Sequence, residues 1–278
     1  MAETLSTNLV VPEVFSKIVE GEFLAKAKLL NFAKVYNDLV GKPGDTIHFS
    51  KFGTLTEATE LTEEMPMSTE TLSTTDSSAV IKEIGKAVEI SDKAILTALG
   101  DPIGEAARQL GVVLALKVDT DIKTELESTT NVVDVSGSGT ISYSAIVDAL
   151  AKFGENYDDV LALVVHSKQA ADLLKDSNFI NASAFGQPVM VNGYPAVGKI
   201  AGIPVVISDR ITKTPGDTTP DTYTALLLRK NAVALAYKRQ LQIEQDRDIL
   251  KRTTVISGTM YYAVKLLDTN KAVKIITQ

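Results

Sequence analysis

The sequence predicts an α+β fold, and three stretches of it carry that prediction. Two strand-like segments, 45–52 and 78–90, flank a run with no positive charge between Lys51 and Lys82. A long amphipathic helix follows, opened by the pair Asp101-Pro102. Beyond residue 136 short helical patterns alternate with apolar strands, and the chain closes on a long strand and a short one.

Residues 1–44 read as an N-terminal arm. Pro12 suits a first helical turn, and Phe15, Ile18, Val19, Phe23 and Ala27 recur near helical spacing. Lys26, Lys28 and Lys34 make this arm locally basic. Gly41-Lys42-Pro43-Gly44-Asp45 is a turn cluster that leads into the first strand.

The loop over 53–77 is rich in Thr, Ser and Glu, with Pro66 inside it. Its charges are all negative: Glu57, Glu60, Glu63, Glu64, Glu70 and Asp76. On the return strand Val80, Lys82, Ile84, Lys86 and Val88 share one face. Ala79, Ile81, Glu83, Ala87 and Glu89 lie around the other, and Gly85 suggests a bulge or bend. A two-stranded arm is marginal on its own in water, and so long a loop is functional or ordered by a partner. A projection of one sign needs a positive surface, and the nearest candidate is another copy of the chain. The chain therefore reads as a self-assembling structural subunit.

In the long helix Asp101 caps the free amides, Pro102 presets the first turn and Glu105 favours the positive end of the dipole. Ile103, Ala107, Leu110, Leu114 and Val118, with Ala106, Val113 and Ile122, form the apolar face. The pattern ends near Glu127, a span of roughly 39 Å at 1.5 Å per residue. The exposed face is expected to carry Arg108, Lys117 and Lys123 among Asp119, Asp121 and Glu125.

Ser136-Gly137-Ser138-Gly139 reads as a flexible linker. After it come an amphipathic stretch at 144–153, a buried-type strand at 160–165 and a helix capped by Ser167 and running to Leu174. Asn192-Gly193 is a tight turn, 202–208 an apolar strand and 212–222 an exposed loop. Apolar runs at 224–228 and 232–237 look like a hairpin across Arg229-Lys230-Asn231. A charged stretch at 240–251, a long strand at 253–267, a turn at 268–271 and a closing strand at 272–276 complete the chain.

Composition excludes several functions. A hydrophobic fraction of 45% suffices for a packed core, and a net charge of −7 argues against non-specific nucleic-acid binding. Cysteine is absent, which removes disulfides, thiolate metal sites and thiol nucleophiles. With no leader-like N-terminus and no apolar run near the ~18 residues of a bilayer span, a soluble protein is expected. His48 and His166 stand alone and read as structural or surface residues. Gly41-Lys42-Pro43 fails as a phosphate loop, because Pro43 stands where a hydroxyl must hold magnesium. The acid pairs Asp119 with Asp121, Asp158 with Asp159 and Asp246 with Asp248 read as solvated faces. No catalytic, cofactor-binding or metal-binding residue is expected. A carboxylate hydrolase lacks a convergent cluster of acids, and the long capped helix disfavours a β-rich tail or adhesion protein.

The order of these elements resembles the major capsid proteins of tailed bacteriophages, the HK97-like capsid fold that encapsulins share. The likeness is carried by Leu39–Phe49 (LVGKPGDTIHF), Ile84–Asp92 (IGKAVEISD), Gly100–Asp121 and Val264–Ile276. It implies an extended loop, 45–90, lying across a neighbouring subunit. It also implies a peripheral domain from 91–135 and 244–278, and an axial domain from 136–243. The implied function is self-assembly into hexamers and pentamers of an icosahedral head enclosing double-stranded DNA. An encapsulin-like protein compartment is the alternative. The implied location is the virion, after assembly in the bacterial host cytoplasm, with a portal and optionally a decoration protein as partners and no membrane.

Some relatives weld neighbours through a lysine of the extended loop. Residues 52–81 contain none, so a non-covalent shell is expected. Others carry an N-terminal scaffolding domain of about a hundred residues, the size of a small domain. Here only the 1–44 arm precedes the hairpin, so a separate scaffolding protein is expected. For the acidic side of the contacts between subunits the candidates are Glu57, Glu60, Glu63 and Glu64. For the basic side they are Lys26, Lys28 and Lys34 of the arm with Arg108, Lys117 and Lys123 of the helix.

Overall fold

The computed structural model describes residues 17, 19–23, 26–60, 67, 69–98, 100–137, 139–154, 159–176, 190–191, 194–195, 199–200, 202–215 and 220–278. Phe15, Ile18, Glu63, Glu64, Pro66, Ser138, Asp158 and the Asn192-Gly193 turn lie outside them. A helical stretch at 19–23 is followed by β1 (Lys34–Tyr36), β2 (Thr46–Phe52), β3 (Thr74–Val80) and β4 (Lys82–Ser91). Then come α1 (Asp92–Thr97), α2 (Pro102–Glu127), β5 (Val132–Asp134), α3 (Tyr143–Ala151), β6 (Val160–Val165) and α4 (Ser167–Lys175). Four short strands and one longer follow: β7 (Met190–Val191), β8 (Tyr194–Pro195), β9 (Lys199–Ile200), β10 (Ile203–Ile207) and β11 (Lys213–Thr214). The chain ends with β12 (Thr222–Arg229), β13 (Val233–Asp248), β14 (Thr253–Leu266) and β15 (Ala272–Thr277).

Helix α2 spans Pro102 to Glu127 as the capping signals predict. The Ile103 amide donates to Asp101 Oδ1 at 3.1 Å, and Pro102 occupies the first turn, where its missing N–H costs nothing. Its buried stripe, Leu110, Leu114, Val118, Ile122 and Leu126, lies along a four-stranded sheet of order β1-β13-β14-β4. Leu114, Val118, Ile122 and Leu126 pack with Leu235, Met260, Tyr262, Val264 and Leu266, while Leu110 meets Ile256, Val88 and Ile90. Each such leucine or isoleucine withdrawn from water contributes about 1.5–3 kcal/mol.

The second sheet runs β5-β15-β12-β6-β10-β9, with β11 added on β12. Strand β12 is apolar without alternation because both its faces are covered. Leu226 and Leu228 point into the core shared with α2, and Ala225 and Leu227 face the core under α3 and α4.

Three sequence expectations change here. The runs 224–228 and 232–237 do not pair with each other: β12 belongs to one sheet and β13 to the other. Asn231, in the left-handed region at φ 56°, turns the chain between them, a conformation that asparagine tolerates. The 268–271 turn carries the chain back, and the Leu267 amide donates to Ala232 O at 2.8 Å, so the two crossings lie side by side. The return strand predicted over 78–90 is two strands. β3 pairs with β2, and after Ile81 strand β4 leaves to pair with β14 from Lys82↔Tyr262 to Ser91↔Thr253. Gly85 makes no bulge. Its pairing with Thr259 is in register, and a Cβ there would come 3.1 Å from Thr259 Cγ2. Bulge-like register shifts occur instead in the β13–β14 ladder, between Tyr237 and Arg239 and between Arg239 and Gln242.

Gly111 shows why the arm sits so close to α2. A Cβ at this position would lie 2.6 Å from Val19 O and 3.3 Å from the Phe23 amide, so backbone meets backbone. Replacing a helical glycine by alanine normally stabilises by roughly 0.5–1 kcal/mol. Gly111→Ala is expected to do the reverse, lowering the melting temperature and exposing the arm to limited proteolysis. A variant that melts higher than the parent would contradict the close approach.

Candidate functional site

The acidic hairpin is anchored at its root and open at its far end. Ile47 and Ala79 are buried against Ala236 of β13 and Ala263 of β14, with Tyr36, Leu39, Phe49 and Ile81 around them. Tyr36 and Phe49 meet edge to face, with centroids 5.4 Å apart. The ladder runs from Thr46↔Val80 to Phe52↔Thr74, and His48 Nδ1 lies 2.6 Å from Asp76 Oδ2 across it. Past the ladder the Gly53 amide donates to Ser73 O at 2.8 Å, and the Thr56 amide and hydroxyl donate to Glu70 Oε2 at 2.9 and 2.8 Å. These two bonds hold the Glu70 carboxyl below its ordinary range. Glu57 and Glu60 are exposed, and so are the apolar side chains of Phe52, Leu55, Met67 and Leu72.

A second exposed patch caps the far end of the β13–β14 ladder. Asp248 Oδ1 accepts from the Leu250 and Lys251 amides, both at 3.0 Å, and Arg252 adopts φ 53°. The fixed turn displays Ile249 and Leu250, 78% and 96% exposed. Leu96 of α1, 85% exposed, belongs to the helix that opens beside this turn, where Arg247 pairs with Asp92 at 2.8 Å.

The basic candidates mostly have partners within the chain. Arg108 grips Glu105 with two bonds of 2.8 and 2.7 Å, which bring the Glu105 carboxyl down to about 2. Lys117 pairs with Asp121 at 2.9 Å, and Lys123 with Glu127 at 3.3 Å and with the Thr212 hydroxyl at 2.7 Å. Lys28 Nζ donates to Ile207 O at 2.8 Å, Lys34 Nζ stands 4.9 Å from the Tyr36 ring centroid and Lys26 is exposed.

Asp119 and Asp121 are buried rather than solvated. Asp119, 1% exposed, accepts the Lys28 and Leu29 amides at 2.8 and 3.1 Å. Burial outweighs these bonds and pushes its carboxyl up. Asp121 accepts from Lys82 at 2.7 Å, Lys117 at 2.9 Å and the Tyr262 hydroxyl at 2.5 Å. Burial opposes the charge here too, but the three donors together hold this carboxyl below the usual range. The spacing held a clue to Asp119: it stands four residues after Ala115 and three before Ile122, on the apolar stripe.

His166 is structural and takes the capping role expected of Ser167. Its Nδ1 accepts from the Lys168 amide at 3.1 Å, while Gln169 Oε1 accepts from the His166 amide at 3.0 Å. A histidine ring nitrogen here replaces the usual hydroxyl. Among the described residues no group of three or more His, Asp or Glu is placed to hold a metal ion. None of the helices among them is long and apolar enough to cross a membrane.

The comparisons agree with this architecture. The family model described as phage capsid protein matches residues 74–275. The major capsid protein of Staphylococcus phage phiMR11 is 31% identical over 274 residues, covering 98% of this chain and 95% of that protein. The capsid structure of cyanophage P-SCSP1u superposes with a TM-score of 0.72 at 17% identity, covering 89% of this chain and 86% of that one. The acidic stable capsid of Helicobacter pylori bacteriophage KHP30 does so with 0.73 at 13% identity, covering 91% and 92%. With a buried helical spine, an anchored acidic hairpin and a match over most of its length, this chain belongs to the phage capsid protein family.

Proposed function

We propose that the chain is the major structural subunit of a non-covalent icosahedral head, built from hexamers and pentamers around double-stranded DNA. The observation that carries this reading is the hairpin, whose root is buried and whose outer part exposes acids beside large apolar side chains. Such a surface is costly in water and suits contact with a second copy. In this reading 1–44 is the arm and 45–90 the extended loop. Residues 91–135 with 244–278 form the peripheral domain, and 136–243 the axial domain. Glu57, Glu60, Glu63 and Glu64 supply the negative side of the contact. Lys26, Lys28, Lys34, Arg108, Lys117 and Lys123 stand as candidates on the receiving copy, the last three sharing carboxylates of their own chain.

An exposed ion pair contributes only ~0–1 kcal/mol, so each contact is weak and misplaced subunits can leave. Repetition around every ring supplies the stability. The subunit works without catalytic residues or cofactors, assembles in the host cytoplasm with separate scaffolding and portal proteins, and resides in the virion. The relatives favour a genome shell over an encapsulin-type compartment.

Negative-stain microscopy of the purified chain, with and without scaffolding protein, tests the reading. Closed shells of uniform size are expected, and removal of the outer loop should leave folded subunits that form none. A chain that stays monomeric under every condition would refute it.

A further inference from the structure

We propose that the acidic stretch of one copy seats in a cationic cleft at the hairpin root of a second copy. The inference rests on the shell reading above and names the receiving surface. The cleft, about 430 Å³, opens between β2 and the turn that follows β14. Lys34, Lys51 and Lys271 line it together with His48, and Tyr36 and Phe49 supply aromatic surface.

The charges inside are unbalanced. Asp268 is the carboxylate that lines the cleft, and Lys51 already holds it at 2.6 Å. His48 has its own partner in Asp76. Among the described residues neither Lys34 nor Lys271 forms an ion pair, and Asp268, the single acid of the lining, is shared between Lys51 in contact and the more distant Lys271 charge. A concave site with surplus positive charge and two aromatic rings suits a segment that mixes acids with apolar side chains. Leu55, Glu57 and Glu60 on one side of the outer loop, with Glu70 and Leu72 on the other, make such a segment, and all are exposed.

None of the described outer-loop residues lines the cleft of its own chain. Lys51 stands near the outer end of the β2–β3 ladder, and beyond it the Thr56–Glu70 bonds tie the two sides of the loop together. Glu57 and Glu60 follow that tie and stand outside the lining of their own chain's cleft, which makes a second copy the fitting occupant.

The chain has no cysteine, so a disulfide can be placed without background. Subunits carrying Glu60→Cys are mixed with subunits carrying Lys271→Cys, assembled and oxidised. A two-chain species on a non-reducing gel is expected, well above the level from either variant alone. In parallel, Lys34→Glu with Lys271→Glu is expected to lower shell yield about tenfold in physiological salt. Adding Glu57→Lys and Glu60→Lys to the same chain should restore it, with circular dichroism confirming that each variant folds.

Normal shells from the doubly reversed chain, or shells without the cross-link, would overturn the cleft and leave the shell reading standing. An intrachain disulfide in a chain carrying both cysteines would show the loop folding back, and would overturn it too. Normal shells that lose only nucleic acid would assign the cleft to phosphates instead. Absence of shells from the unmodified chain would remove the shell reading and this inference together.

Discussion

Asp119→Ala is expected to cost the subunit about 3 kcal/mol and to loosen its N-terminal arm from the long helix. The carboxylate is buried in α2 and receives the Lys28 and Leu29 amides, just ahead of the single turn Leu30–Phe32. A hydrogen bond to a charged group contributes about 1.5–3 kcal/mol, and alanine would leave buried donors without an acceptor. Asp119→Asn keeps one carbonyl oxygen and discards the charge that burial penalises, so its loss should be smaller. Because this carboxyl is raised in the folded state, the proton-linked part of its contribution is fully present below the unfolded value and is lost as pH rises through the folded one, while the two amide bonds persist. Denaturant melts, with hydrogen exchange at Lys28 and Leu29, check both statements. Unchanged protection of those two amides in Asp119→Ala would contradict them.

Asp121→Ala is the second large effect, also about 3 kcal/mol, and it carries the opposite pH signature. This carboxylate joins β4, α2 and β14 through Lys82, Lys117 and the fully buried Tyr262. Its removal strands the Tyr262 hydroxyl, whose own pKa burial and the Asp121 hydrogen bond raise. The two lysines are half-exposed and can turn to water, which limits the cost. Tyr262→Phe, which removes one donor, should cost about 1 kcal/mol. Since the Asp121 carboxyl is held below its unfolded value, its stabilisation is present above the unfolded range and is lost as pH falls through the folded one. The alanine variant should therefore lose part of the parent's acid sensitivity, as melts across the acid range would reveal. An unaltered acid limb would contradict the assignment.

These two carboxylates mark where sequence reasoning stopped. Helix α2 was legible to its last residue because caps, proline and apolar spacing are local signals. Strands β2, β6 and β14 were legible for the same reason. Partner choice was not. The 224–228 and 232–237 runs look like a hairpin, yet both are buried runs that different sheets claim. Asp119 and Asp121 looked solvated because the amides and the tyrosine that receive them come from residues about 90 and 140 positions away in sequence. The lysines of α2 looked free because their carboxylate partners sit one helical turn on, and such pairs are easily counted as surface decoration. The acidic run itself was plain in composition, while the cleft at its root needed β2 and the 268–271 turn to be brought together.

The register shifts near Tyr237 and Arg239 have a mechanical consequence. They fall where β13 passes from the core around Leu235 and Tyr237 to the smaller cluster of Ile243 and Ile256 against α2, and shifts of this kind bend and twist a ladder locally. From Tyr237 to Asp248 the ribbon extends roughly 36 Å at ~3.3 Å per residue. Over that length β14 stays paired with β4, so the three strands move as one sheet against α2. A tilt of about 5° there would swing Leu250 by roughly 3 Å over that length and would drive Ile243 and Ile256 against Leu110. Only the turn bearing Ile249 and Leu250, which stands clear of that packing, is left to change its angle against a neighbouring surface without disturbing the interior.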